Sequence, residues 1–453
     1  MALGRRTRET GSLFIPTSEL PRSAGHPFYR ALNRLLEEAG FDRQVEEMCA
    51  SSYSDGKGRP SIPPGVYFRM LFVGYFEGID SQRGIAWRCA DSLALREFLG
   101  VGLTGASPDH SSLTIIRQRL SAALHESIFA LVLGIAREKN LLGGKTVGID
   151  ATLLDANAAM KSIVRKDTGE EYKAYLRRLA QEAGMENPSD DDLRRFDKKR
   201  DGKKTSNDEW ESKTDPASRI MKMKDGRTHL SYKAEHAVDL ESNLVVAATI
   251  QPGNRSDTQS LRQTTAEALA MMAEIEHDVV IEEIVADKGY HSNEALTSCA
   301  SIGLRTYASI KAGQRRWCGK PDDVKRAVRG NDRRTSGERG KALQRQRGER
   351  VERSFAHICE TGGARRSWLR GFENVTKRYL MTVAAHNLGR ICLALFGIGK
   401  PRSLQGGLAA FAASLTLWIV TLGRRIALIT RAAGRMHFQF FCRVMSPKFG
   451  AAA

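Results

Sequence analysis

The sequence predicts an α/β protein, with a helical N-terminal region followed by a mixed α/β core that a charged helical insertion interrupts. Three observations carry this. Apolar residues recur at helical spacing, between good cap residues, as far as about residue 138. Runs of β-type alternation begin at Lys145 and return near Thr228, on either side of a charged stretch poor in aromatics. From Asp257 onward, helical and strand patterns follow one another in turn. At 453 residues the chain is long enough for two or three domains. The boundaries read as 1–138 for the helical region, 139–400 for the core with its insertion at about 165–215, and 401–453 for a C-terminal tail of no assigned role.

In the first region, Pro63-Pro64 opens a helix in which Val66, Met70 and Val73 recur at helical spacing. Ser81 caps the next helix, which puts Ile85 and Cys89 on one face. Asp109 and its neighbours supply caps before LTIIRQRLSAALHESIFALVLGIA, where Ile116, Leu120 and Leu124 form an apolar stripe and Arg117 and Arg119 point away from it. Short helices with tight turns and exposed arginines suit a helix-turn-helix-like DNA reader. A plain helical bundle fits the same pattern.

The core opens with the strand KTVGIDAT, Lys145 to Thr152, carrying Asp150. The insertion follows, with the helical run EEYKAYLRRLAQEAG and then many charges. THLSYKAEHAVD and NLVVAATIQPG are strands separated by a polar turn at Leu240-Glu241-Ser242. A helix runs from Asp257 to Met272, IEEIVADKGY is a short buried strand ending at Asp287, and RTYASI from Arg305 is another. Residues 311–353 hold fifteen Lys/Arg against six Asp/Glu, a net of +9. Thus half of the chain's net charge of +18 lies in about a tenth of its length. After it, RGERVERSFAHICETGG reads as a helix carrying Glu352, and a further helix lies near Lys377 to Leu395.

The charge balance, with a pI near 9.7, suggests a polyanionic partner, nucleic acid before others. Solubility alone is the plainer alternative. The seven cysteines form no CxxC pair, which argues against a zinc ribbon or disulfide framework and fits a reducing cytosol. No apolar leader follows Met1. The uncharged run from Leu404 to Gly423 is long enough to span a bilayer, but glycines and polar residues dilute it and Arg424 and Arg425 follow at once. It reads as part of a buried or poorly ordered tail, with no membrane role.

Asp150, Asp287 and Glu352 stand out because each sits among core-forming residues. A buried acid is costly unless its charge is compensated, and acids placed together raise one another's pKa unless a cation binds. Hard divalent ions with oxygen ligands, Mg²⁺ or Mn²⁺, are the natural partners. A pair of them suits phosphodiester chemistry, one activating the attacking oxygen and the other stabilising the leaving one. For any one acid alone, a solvated strand end or a salt-bridged helix position is the simpler reading. Arg347, Arg350 and Arg353 flank Glu352 and, with Arg117 and Arg119, are candidates for DNA contact or for a solvated helix face. Trp317 and Trp368 lie among arginines, where stacking on an unpaired base competes with an ordinary packing role.

At these positions the chain resembles the DDE transposases of bacterial insertion sequences, specifically the IS1182-like group of the IS4/IS5 type. GRPSIPPGVYFRMLFVGYFEG and SPDHSSLTIIRQRL look like that family's N-terminal DNA-binding domain; VGIDATLLDANAAM, IVADKGYHS and ERVERSFAHICETGGARRSWLRG resemble the segments of its two aspartates and its glutamate, here Asp150, Asp287 and Glu352. The resemblance implies an RNase H-like core, two Mg²⁺ or Mn²⁺ ions, binding of double-stranded DNA at terminal inverted repeats and in the target, strand cleavage and strand transfer, action as a homodimer or larger synaptic complex, and a cytoplasmic, nucleoid-associated place in a bacterium. One position departs from the pattern: related enzymes carry Lys seven residues after the glutamate, where this chain has Cys359, and their tyrosine before it is not evident. The rival readings are a nuclease of the same fold that does not join strands, and a transposase-derived DNA-binding protein.

Overall fold

The structure is a computed structural model describing residues 25–54, 61–201, 206–223, 225–310 and 317–404. The tail from residue 405, with nearly all of the uncharged run, lies outside the described residues.

Among the described residues the N-terminal region is built of helices: α1 (Pro27–Glu38), α2 (Phe41–Cys49), α3 (Pro64–Glu77), α4 (Gln82–Asp91), α5 (Leu93–Phe98), α6 (His110–Arg119) and α7 (Ala122–Glu138). Its boundaries follow local chemistry. Pro64 occupies the first turn of α3, where its missing N–H costs nothing. The side chains of Ser81, Ser92, Asp109 and Ser121 each accept a hydrogen bond from a backbone N–H of the helix they precede. The last of these corrects the sequence reading. Ile116, Leu120 and Leu124 do not share one helical stripe, because Ser121 starts a new helix and the chain bends by 101° between α6 and α7. That angle suits a helix-turn-helix, yet α7 is occupied in packing, with Ile128, Phe129, Val132 and Leu133 buried.

The core begins with β1 (Thr146–Asp155). The insertion follows as β2 (Ile163–Arg165), α8 (Tyr172–Glu182), α9 (Asp190–Lys199) and β3 (Trp210–Ser212). Antiparallel pairing of β2 with β3 closes it at the base, and Leu176, Ala180 and Leu193 give it a small core of its own. The chain then returns to the main sheet through β4 (Arg219–Lys222), β5 (Thr228–Asp239) and β6 (Val245–Pro252). After these come α10 (Asp257–Glu274), β7 (Glu283–Ala286), α11 (Asn293–Ser301), β8 (Arg305–Ala308), α12 (Asp322–Ser336), α13 (Glu338–Phe355), a π-helical turn at Ala356–Thr361 and α14 (Phe372–Phe396). The basic stretch before Glu352 is therefore largely helical itself, as α12 and α13.

The six-stranded sheet runs β4-β5-β1-β7-β8, with β6 paired to β5 beyond the reach of β4. β1 is antiparallel to β5 and parallel to β7, and β7 is parallel to β8. Alternation along β5 sends its side chains to opposite layers. Lys233 and Glu235 meet Ser260 and Thr264 of α10, whereas His236 meets Ser354 and Phe355 of α13 and Tyr379 of α14.

α14 joins the two regions. It packs on α1, α3 and α7 on one side and on β6 on the other, so one apolar core continues from Phe28 to Ile398. It is the described helix that is long and apolar enough to cross a membrane by itself, and 78% of its apolar window is buried inside the protein.

Two histidines are locked into this packing as neutral rings. His125 of α7 donates from Nδ1 to the Ser121 carbonyl at 2.8 Å, and burial pushes its pKa down to about 4. Ser354 gives its hydroxyl proton to the Val351 carbonyl, so His236 donates from Nδ1 to Ser354 at 2.8 Å and accepts from the Tyr379 hydroxyl at 2.7 Å. Burial pushes His236 down to about 3. A histidine in the unfolded chain titrates near 6.5. The unfolded state therefore binds more protons below that pH. The stabilisation is complete above pH 6.5 and is lost as pH falls toward the folded values, at about 1.4 kcal/mol per pH unit for each ring. Urea unfolding at pH 7 and pH 5 should show this loss, and His125→Gln should flatten the slope. A pH-independent midpoint between 7 and 5 would contradict the assignment.

Candidate active site

Asp150 lies in the middle of β1 and Asp287 directly follows β7. The register pairs Ile149 with Ala286, so the two aspartates stand side by side where parallel strands leave the core. Asp287 caps a one-turn 3₁₀ helix, its Oδ1 accepting from the Lys288 N–H at 2.6 Å. The DKGY turn is built tightly. A Cβ at Gly289 would sit 2.5 Å from Asp257 Oδ2, and the buried Tyr290 donates to Glu235 at 3.0 Å.

α13 crosses the same face of the sheet as Asp150. A Cβ on Gly148 would meet Val351 Cγ2 at 3.0 Å and Arg347 Cγ at 3.3 Å, so the glycine is what lets the helix lie close to β1. From that helix Arg347 reaches Asp150, with Nη1 to Oδ2 at 2.6 Å. Burial raises the Asp150 pKa above the ordinary carboxylate value; Arg347 opposes this and the neighbouring Asp287 charge adds to it. The desolvated Asp150 carboxylate is thus held by one guanidinium, beside Asp287, in a place where a metal ion would also serve. Oxygen donors on adjacent strands fit a hard divalent cation.

Glu352 does not join the aspartates in this conformation. Among the described residues no group of three or more His, Cys, Asp or Glu side chains is arranged to hold a metal. The reason is local: Arg347 takes Asp150, and the Glu352 side chain is exposed. Arg350 donates to the Glu241 carbonyl at 3.1 Å, beyond the end of β5 that flanks the start of β1. Glu352, about 200° further round at 100° per residue, is on the opposite flank, toward which β1 continues past Asp150. Gly348, one turn earlier, has no side chain to crowd it.

The arginines divide. Arg347 is buried in the Asp150 pair, and Arg117 is only 9% exposed, so neither is the free surface cation that the sequence suggested. Arg119 is exposed and stacks over the Tyr53 ring at 4.7 Å. Arg353 is exposed and pairs with Glu349 at 2.8 Å. Trp317 packs beside Arg329, while Trp368 is 47% exposed with the Arg366 guanidinium 4.7 Å from its ring.

Two features escaped the sequence. One is the buried network of Lys233, Glu235, Asp257, Ser260 and Thr264, with Lys233 Nζ 2.9 Å from Glu235 and 2.6 Å from Asp257. The visible signal was two opposite charges spaced i, i+2 in a strand, which puts them on one face. The other is a cavity of about 480 Å³ along β1 beyond Asp150, lined by Ala151, Leu153, Lys233, Arg255, Asp257 and Arg365 among others.

Residues 18–119 match the family described as a transposase domain (DUF772), and residues 170–388 match the one described as the transposase DDE domain. The chain belongs to the DDE transposases. The pair of matched domains is the signature of the IS1182-like transposases. No curated protein and no solved structure matches the chain. The matched DDE segment includes Asp287 and Glu352, while Asp150 lies before it and is brought beside Asp287 by the β1–β7 pairing. As a DDE transposase the protein is a DNA-acting, metal-dependent enzyme of mixed α/β fold with a helical N-terminal region.

The close seat of α13 on β1 is testable. Gly148→Val should cost about 1–3 kcal/mol of stability by overpacking, read as a lower urea midpoint, and should reduce DNA cleavage as well. An unchanged midpoint would show that α13 does not rest on β1 at this point.

Proposed function

We propose that this transposase binds the terminal inverted repeats of its element, cleaves DNA there and transfers the freed ends to target DNA, through an RNase H-like core. The observation that carries this is the pair Asp150 and Asp287, side by side at the exit of two parallel strands with α13 laid across them. The sheet order, with β1 between an antiparallel and a parallel neighbour, supports the fold assignment.

Asp150, Asp287 and Glu352 are the proposed ligands of two Mg²⁺ or Mn²⁺ ions. Bound there, the ions supply activation of the attacking oxygen and charge stabilisation at the leaving oxygen. The chain's own part is to hold and release. Arg347 neutralises Asp150 in the absence of a cation; with ions held there, its guanidinium would be available to a phosphate oxygen as a bidentate donor. Glu352, exposed in this conformation, would complete the ligand set by turning toward the aspartates. The cavity beyond Asp150, with Arg255 in its lining, offers a path to a strand that leaves the site along β1. Arg119, Arg350 and Arg353 are proposed to grip flanking DNA, whose affinity would then fall steeply with salt. The two ends of an element must be brought together, which argues for a dimer or larger synaptic complex.

End cleavage in Mg²⁺ tests the ligands. Asp150→Asn, Asp287→Asn and Glu352→Gln should each abolish cleavage while DNA binding persists. Activity surviving any one of them removes that residue from the site. Pre-cleaved ends supplied with target DNA should give joined product, and a failure to join would leave a nuclease.

Divalent ions and Arg347 compete for Asp150. Arg347→Met should therefore give a larger Mg²⁺- or Mn²⁺-induced rise in melting temperature than the unmodified protein shows. An equal rise in both would separate the metal site from Asp150.

A further inference from the structure

A second cavity, of about 180 Å³, lies where the N-terminal helices meet the segment after the π-helical turn. Arg117 of α6 and Arg378 of α14 both line it. Arg117 is nine-tenths buried, and its Nε and Nη1 have no hydrogen-bond partner. Arg378 spends Nη2 on the Gly363 carbonyl at 3.4 Å and leaves its buried Nη1 unpartnered. Burial disfavours the charge on each, and at Arg378 the Arg117 charge disfavours it further while Asp80 opposes this.

A guanidinium cannot escape burial by shedding its proton, as a lysine can. Water in the cavity would satisfy N–H groups but not two like charges. Asp80, the acid that faces them, sits exposed at the rim with its carboxylate bonded to Trp368 Nε1. One carboxylate against two guanidiniums leaves the cavity net positive, with three guanidinium nitrogens unpartnered. Open N–H groups from two sides of one cavity match the several oxygens of a phosphate better than a single chloride.

We propose that this cavity is a phosphate-binding site, with Arg117 and Arg378 as its clamp and a DNA backbone phosphate as its occupant. The rim carries the exposed Trp368, a surface on which an adjoining base stacks, with Arg366 beside it. It is also tied to the catalytic strand. The Trp368 carbonyl accepts from Asn157, and Asp155 at the end of β1 bridges to Arg366. From Asp150 to Asp155 β1 advances roughly 17 Å at about 3.3 Å per residue, so a strand engaged at Asp150 reaches the rim within about five nucleotides. DNA as the source of the phosphate rests on the transposase reading; the phosphate chemistry does not.

The test titrates inorganic phosphate into the full chain in chloride buffer, read by calorimetry and melting temperature, and needs no cleavage activity. The unmodified protein should bind and melt higher with phosphate. Arg117→Met and Arg378→Met should weaken binding by about ten-fold or more, and should melt no lower than the unmodified protein without phosphate, because each removes a charge from a dry site. Asp80→Asn, at the exposed rim, should tighten binding. No phosphate-dependent shift in the unmodified protein, or an equal shift in all variants, overturns the site. Acetate binding as tightly as phosphate overturns phosphate in favour of a carboxylate. A ten-nucleotide single strand supplies the last arm. Arg378→Met should weaken it relative to the same strand with neutral methylphosphonate linkages, and equal binding of the strand by Arg378→Met and the unmodified protein overturns DNA as the source.

Discussion

The burial of α14 is the constraint on which the rest of the molecule depends. A helix enclosed on nearly every side needs internal partners for the polar groups it carries, and most of those on α14 have one. Asn387 bonds both the N–H and the carbonyl of Val245 on β6. His386 meets the Tyr75 hydroxyl of α3, and Lys377 donates to the Arg117 carbonyl of α6. Tyr379 reaches His236 on β5, which in turn holds Ser354 of α13. These few bonds fix the N-terminal helices, the sheet and the helix bearing Glu352 relative to one another. Substitution of a single polar residue on α14 strands its partner in a dry interior, so damage at this helix is felt at both ends of the molecule.

Much of the fold was legible because its signals are local. Pro64, Ser81 and Asp109 announce helix starts through their own backbone chemistry, and THLSYKAEHAVD proved to be β5 from end to end. The break at Ser121 was equally local, but the apolar spacing across it looked continuous. The helicity of the basic stretch was hidden for a different reason. α12 is held by Asn331 bonding the backbone of Ala308 and by the buried Val328, two residues in a run of charges. Position in a layered structure, not composition, makes that segment part of the core.

At the site, the sequence revealed which acids were out of place but not what answers them. Asp150 and Asp287 are visible as charges inside apolar strands, and pairing of those strands brings them together. Arg347 looked like one more surface cation, because nothing in RQRGERVER distinguishes the residue that turns inward. Only the crossing of α13 over Gly148 selects it. The same holds for Arg117, whose burial depends on α14 packing from a position 260 residues later in the chain. Electrostatic roles are long-range facts, and a single sequence records mainly short-range ones.

The short ladder between β2 and β3 has a further consequence. The insertion leaves the chain and returns to it at adjacent points, and Leu176, Ala180 and Leu193 form a small cluster within it, while Ile163 and Trp210 at its base join the main core. Its side-chain link to the main sheet is local: Asn207 bonds the N–H and the carbonyl of Ile220 on β4. Such an arrangement is modular: the segment is free to grow, shrink or be exchanged over evolutionary time while Asp150 and Asp287 keep their spacing, so new contacts can be tried out without putting the chemistry at risk.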